Sequence, residues 1–224
     1  LAKIHFDPEL LPVEAIAGEP PVDPQRLTAR AVRQRFAEDS PTWQPEKLDE
    51  RNLLQFPNPK RAAVLVPLVQ RGNDLTVLLT QRTEHLSNHG GQVSFPGGRA
   101  EDYDSSPIET ALRETEEEIG LSRRHIEIVG VLPEHMTGTG YKVRPLVGIV
   151  TPPFELTADP NEVAEIFEVP LPFLMNGAHH ERRSVELPEG AGRRSFYAMP
   201  YERYFIWGAT AAMLRNLFHF LRAA

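Results

Sequence analysis

Two apolar, β-branched runs, RAAVLVPLV (residues 61–69) and DLTVLLTQR (74–82), stand either side of an Arg-Gly-Asn turn signal. Runs of that length and composition bounded by a turn predict strands. IEIVGVL (126–132) and VRPLVGIV (143–150) repeat the pattern around a Gly-rich stretch, PEHMTGTGYK. NEVAEIFEVPLPFLM adds a short strand and a Pro-initiated helix. ERRSVELPEGAGRRSFYAMP predicts a hairpin whose arms are joined by PEGAG. WGATAAMLRNLFHFL sets Ala209, Met213, Leu214, Leu217 and Leu221 at helical spacing, so an amphipathic helix is expected there. Many strands interleaved with few helices predict an α/β fold of the α+β kind, a mixed sheet covered by helices in one domain over residues 61–224. Residues 1–60 differ, being rich in Pro and charge, and are expected to form an N-terminal extension packed on that domain. Within them LTARAVRQRFAED predicts a helix with Leu27, Val32 and Phe36 on one face. His179 and His180, beside Gly177, are expected to be exposed loop residues.

The net charge of −7 argues against recognition of nucleic acid by phosphate neutralisation. A polyanionic substrate would need a mediating cation, for which a divalent metal is the obvious candidate. No Cys is present, which removes disulfides, thiolate catalysis and Cys-based zinc sites. No stretch has the roughly 20 apolar residues of a membrane span. LAKIHFDPELLPVEA has no basic segment followed by an apolar core, so no signal peptide is expected, and a cytoplasmic location is.

The segment FPGGRAEDYDSSPIETALRETEEEIGL carries four glutamates in five positions, Glu114 and Glu116 to Glu118. Taken as a helix over 108–119, capped by Ser105 or Ser106 with Pro107 in its first turn, it sorts those charges. Glu114, Glu117 and Glu118 fall within roughly 100° of arc. Ile108, Ala111, Leu112, Thr115 and Ile119 take the neighbouring, core-facing arc, and Glu109 and Glu116 the far, solvated side. Like charges at i and i+4 destabilise a helix, so this grouping calls for a cation. Hard divalent ions take carboxylates together with substrate phosphates. Gly97 and Gly98 allow a backbone carbonyl to approach such an ion. Arg113, four residues before Glu117, can buttress that carboxylate.

RETEEEIGL resembles the second half of the Nudix box: Arg113, Glu114, Glu117, Glu118, Gly120 and Leu121 match its pattern, with Thr115 at an apolar position. Gly98 matches the opening glycine, although the spacing to Arg113 is one residue longer than the common pattern. The midway Glu is not in register; Glu101, Asp102 and Asp104 lie nearby. The resemblance implies a Nudix-like α/β/α sandwich and metal-dependent hydrolysis of a nucleoside diphosphate linked to another group. Glu114, Glu117 and Glu118, with the Gly97 carbonyl, would hold Mg²⁺ or Mn²⁺ against the diphosphate.

LLTQRTEHLSNHGGQVSFPGG (78–98), together with the longer box, resembles the signature of the Nudix subfamily that cleaves coenzyme A and its derivatives. Ser87 and Thr83 depart from it, standing where the signature has Arg and Ser or Ala. The products implied are 3′,5′-ADP and 4′-phosphopantetheine or its acyl form. ADP-ribose, NADH or another nucleoside diphosphate derivative is the alternative substrate, and a non-catalytic nucleotide-binding domain a further reading. Arg82, His89, Phe95, Arg99 and Tyr141 are the candidate substrate contacts, Arg82 or Arg99 replacing the missing Arg. The general base is either a box glutamate or a carboxylate from outside the box, for which Glu162 and Glu165 are the best candidates, Glu162 foremost, and Glu134 a weaker one. A small-molecule, coenzyme A-like nucleotide is the expected partner, with no nucleic acid or membrane partner; a homodimer is left open.

Overall fold

The computed structural model describes residues 6–38, 42–46, 56–85, 90–186 and 192–223. The first strand pair of the sequence forms the middle of its larger sheet. Strand β2 (Lys60–Arg71) turns at Gly72, whose φ of 65° suits the tight reversal, into β3 (Asp74–Arg82). A long connection later brings β8 (Tyr141–Val150) alongside β2 in parallel, from Lys60 opposite Tyr141 to Val69 opposite Val150. The other pairings are antiparallel. The eight-stranded sheet runs β4 (Val93–Ser94), β3, β2, β8, β6 (Ile126–Val131), with β5 (Gly97–Arg99) on β2, β7 (His135–Met136) on β8 and β9 (Val163–Pro170) on β3.

β2 is apolar without alternation because both of its faces are covered. Ala63 and Leu65 pack with Leu146 against Ala111 of helix α2 (Pro107–Ile119). Val66 and Leu68 face the opposite way, into a core with Leu214, Leu217 and Phe218 of helix α4 (Gly208–Arg222). The layers are therefore helix, mixed sheet, helix, the sandwich the sequence predicts. Helix α2 starts at Ser106, whose Oγ accepts the Glu109 N–H at 3.3 Å, and stops at Gly120 in the left-handed conformation. Its buried stripe holds Ala111, Leu112, Thr115 and Ile119 as expected, but Ile108 is 38% exposed. In the first turn Thr110 is buried instead, its hydroxyl donating to Asp104 at 2.9 Å.

A second, four-stranded sheet, β1 (Ala15–Ile16), β10 (Glu181–Glu186), β11 (Arg193–Tyr201) and β12 (Tyr204–Trp207), was not anticipated beyond its β10–β11 hairpin. Of the PEGAG connector only Gly192 is among the described residues. The short helix α3 (Leu171–Leu174) follows β9. Helix α1 (Ala29–Ala37) buries Val32 and lays Phe36 on Phe220, ring centroids 4.3 Å apart. Arg26 donates to the carbonyls of Leu221 and Arg222, and Arg35 to that of Phe220, so arginines close the end of α4.

His180 corrects the expectation of an exposed loop histidine: it is fully buried. Its Nε2 pairs with the Leu174 carbonyl at 2.8 Å and its Nδ1 with the Arg215 guanidinium at 3.1 Å. Arg215, itself buried, also holds both carboxylate oxygens of Glu19, at 2.7 and 3.0 Å, and Glu46 at 2.7 Å. One buried guanidinium thus ties the N-terminal segment to α4.

Candidate active site

The site is built around a backbone that only glycine allows. Gly97 has φ of 142°, and a Cβ there would lie 2.4 Å from the Ala63 carbonyl oxygen and 2.5 Å from Val64 Cα. Gly97 stands opposite Val64, yet Leu65 N donates to Pro96 O at 2.9 Å, so the ladder bond at this level is made by a neighbour. The Gly97 N–H turns instead to Glu118, donating to its Oε2 at 3.0 Å. A Cβ on Gly98 would meet Glu114 Oε2 at 2.4 Å, so its absence is what admits that carboxylate.

Helix α2 separates its glutamates as the angular argument requires. Glu116 and Glu109 lie on the outer side, both held by Arg123 at 2.9–3.0 Å. Glu118 is inward, with a side chain 5% exposed. Burial pushes its carboxyl up to about 7; the Gly97 N–H and the Arg82 charge oppose that push, while Glu162 and Glu114 add to it. Burial also raises the half-buried Glu114, against the pull of Arg113, with Glu117 and Glu162 adding repulsion. Glu117 is the outermost of the three, 59% exposed.

Arg113 holds this group together. Its Nη1 reaches Glu114 and Glu117, each at 2.9 Å. Its Nε and Nη2 clamp Asp104 in two bonds of 2.9 Å. Asp104 also accepts the Glu101 N–H at 3.0 Å, and the Arg113 clamp holds its carboxyl far below the usual carboxylate range. Asp104 thus answers which of the three acids before the helix matters to it: Asp104 anchors the arginine that carries the glutamates.

Of the outside carboxylates the structure brings only Glu162 to the cluster, its charge acting on both Glu114 and Glu118. Glu165 is turned away onto the Tyr204 hydroxyl at 2.8 Å, and Glu134 is paired with Lys142 and Arg144. Arg82 lies between Glu118, at 3.5 Å, and Glu162, at 4.0 Å. Arg99 is exposed at the end of β5, its carbonyl accepting from Arg113 at 3.2 Å. Of the other expected substrate contacts, Phe95 is set in the core and Tyr141 away from the glutamates. Phe95 is 2% exposed, its ring packed into the core beneath α4, so no face is left for a ligand. Tyr141 pairs with Lys60, four residues before Val64, roughly 13 Å along the strand from the Gly97 level. Its ring packs on the core with the Lys60 ammonium 5.7 Å from its centroid. His89, like Ser87, lies outside the described residues.

Among the described residues no three acidic or His side chains stand in ready ligating geometry. The donors nonetheless suit a hard divalent cation in kind: four carboxylates close enough to repel one another, one of them buried, beside the Gly97–Gly98 turn. Arg113 and Arg82 supply the compensation present in the protein itself.

The NUDIX domain family matches residues 59–186, more than half of the chain, and the chain belongs to that family. The protein named "Uncharacterized Nudix hydrolase NudL" of Escherichia coli is 42% identical over 161 residues, spanning 71% of this chain and 82% of the relative. Among solved structures, the "Nudix Hydrolase from M. Smegmatis, RenU" is 24% identical, covering 50% of this chain and 71% of that one with a TM-score of 0.43. The chain is accordingly a Nudix hydrolase, an enzyme acting on a pyrophosphate-containing substrate, in a family that generally uses divalent metal ions.

Proposed function

We propose that this chain hydrolyses the diphosphate bond of coenzyme A or an acyl-coenzyme A, giving 3′,5′-ADP and 4′-phosphopantetheine or its acyl form. The observation that carries the chemistry is the buried Glu118 on the Gly97 N–H, with Glu114, Glu117 and Glu162 gathered around it. The substrate rests on the likeness of residues 78–98 to the coenzyme A signature. Glu114, Glu117 and Glu118, with the Gly97 carbonyl, would hold Mg²⁺ or Mn²⁺. Once bound, the ion would polarise the phosphoryl oxygens and acidify the attacking water. Arg113 keeps Glu114 and Glu117 turned to the same side, so their positions are set before substrate arrives. Glu162, 47% exposed beside the cluster, takes the proton of the attacking water. Arg82 and Arg99 bind the diphosphate and phosphate oxygens through their guanidinium forks.

Ser87, in place of the signature's Arg, favours a second reading in which the substrate is ADP-ribose, NADH or a related dinucleotide. Incubation with Mg²⁺ and a panel of coenzyme A, ADP-ribose, NADH and nucleoside triphosphates, with products resolved by chromatography, separates the two. Cleavage of coenzyme A with the other compounds spared supports the first reading; cleavage of ADP-ribose with coenzyme A untouched replaces it with the second. Among the described residues no helix is long and apolar enough to cross a membrane. The reading is of a cytoplasmic enzyme with a small-molecule nucleotide partner; the net charge of −7 disfavours binding nucleic acid through its phosphates.

A further inference from the structure

The two arginines at this site are held in opposite ways. Arg113 is locked by short bonds on every arm. Arg82 meets Glu118 at 3.5 Å and Glu162 at 4.0 Å, contacts of charge rather than hydrogen bonds. Its placement is nevertheless built. β3 pairs with β9 in steady register from Thr76 opposite Pro170 to Gln81 opposite Glu165, then slips, so that Arg82 stands opposite Val163. A bulge of this kind re-aims the side chain beside it. The backbone around it is tied down: Arg82 N donates to Gln92 O at 3.0 Å, Gly91 N to Arg82 O at 3.1 Å, and Thr83 N to Glu162 O at 3.0 Å. A rigid backbone therefore delivers a loosely held guanidinium, 24% exposed, between a helix carboxylate and a loop carboxylate.

We propose that Arg82 is an exchangeable counter-charge: it neutralises Glu118 and Glu162 in the free enzyme and moves onto the substrate diphosphate when a divalent cation takes the carboxylates. The inference rests on reading Glu114, Glu117 and Glu118 as the metal ligands. Four carboxylates without compensation repel one another, and one guanidinium relieves part of that repulsion. A divalent ion relieves more of it and repels the guanidinium in turn. The diphosphate oxygens that accompany the ion are then the nearest anions, and they match the guanidinium fork. Arg82 thereby opposes the metal in the free enzyme and favours it once substrate is bound, so metal and substrate bind cooperatively.

The test is Mn²⁺ titration of the nucleotide-free protein, followed by paramagnetic resonance, and calorimetric titration of ADP at saturating Mn²⁺. Arg82→Gln should bind Mn²⁺ about three- to tenfold more tightly than wild type, the scale expected for removing one unit charge several ångströms from a divalent ion. The same variant should bind ADP about tenfold more weakly. Arg82→Lys keeps the charge but loses the fork, so its Mn²⁺ affinity should stay near wild type while ADP binding weakens. A merely damaged site would weaken both ligands, whereas the proposal requires opposite shifts. If Glu118→Gln loses Mn²⁺ but Arg82→Gln binds it no more tightly than wild type, the proposal is overturned and the carboxylate reading stands. If Glu118→Gln binds Mn²⁺ as wild type does, or wild type binds none, both fall together.

Discussion

Glu118→Gln should make the metal-free protein more stable while abolishing its activity. The carboxyl is almost fully buried, and burial pushes it from an ordinary 4.5 up to about 7. At about 1.4 kcal/mol per pH unit, the folded state loses about 3 kcal/mol above pH 7 through this one group. The sign follows from proton counting. Between 4.5 and about 7 the folded protein holds a proton that the unfolded chain has released, so stability falls as pH rises through that window. A glutamine keeps an oxygen to accept the Gly97 N–H and carries no charge. The assay is urea unfolding in chelator at pH 4.5 and pH 8, comparing variant with wild type so that every other titrating group cancels. The stability difference should move in favour of the variant by about 3 kcal/mol between the two pH values. Adding Mn²⁺ to a hundred times its dissociation constant should restore about 2.7 kcal/mol to wild type and nothing to the variant. A difference independent of pH would refute the reasoning, because it would mean that the folded state does not burden this carboxylate.

Gly97→Ala should destabilise the fold by about 2 kcal/mol or more, since its Cβ would collide with the fixed backbone of Ala63 and Val64; thermal melting should show a drop of at least about 4 °C, together with loss of turnover. Arg215→Met should cost about 3–5 kcal/mol in chemical unfolding at neutral pH, because it strands Glu19 and Glu46 without their guanidinium. In the Glu118→Gln background, which lacks the opposing Glu118 limb, stability should fall in acid. Burial holds His180 down at about 4, so the stability it contributes above 6.5 is lost as pH falls toward 4. The Arg215 hydrogen bond holds Glu19 down at about 2, so its share is lost between 4.5 and about 2, and only this second limb should vanish in Arg215→Met. Unfolding midpoints of Glu118→Gln at pH 7, 5 and 3, with and without Arg215→Met, check both limbs.

What could be read from the sequence was local. The sorting of Glu114, Glu117 and Glu118 from Glu109 and Glu116 follows from helical pitch alone, and the structure repeats it through Arg123 on the outer side. The strands that frame the turn were legible because their apolar runs are long and end at turn residues. What escaped depends on which distant segments meet. Glu134, Glu162 and Glu165 are alike in sequence, and only the β3–β9 pairing with its slip at Arg82 brings Glu162 to the cluster. Phe95 lies beside the glycines in sequence, yet its ring turns into the core. Asp104 gave one usable signal, an acid preceding a helix that carries an arginine, but its clamp on Arg113 needs the intervening turn to fold back. His180 could not be told from its neighbour His179 without Arg215, which arrives from α4.

In the proposed mechanism the carboxylates of α2 hold the ion that promotes diphosphate cleavage. Glu117 is the residue to change, being exposed, outside the core and, among the described residues, bonded to Arg113, so its loss leaves the fold intact. Turnover of coenzyme A by wild type and Glu117→Gln, with Mg²⁺ and with chelator, is the measurement. Wild type should release 3′,5′-ADP and 4′-phosphopantetheine only with the metal, and the folded variant should lose nearly all of that activity. Undiminished turnover by Glu117→Gln, or by wild type in chelator, would contradict the account.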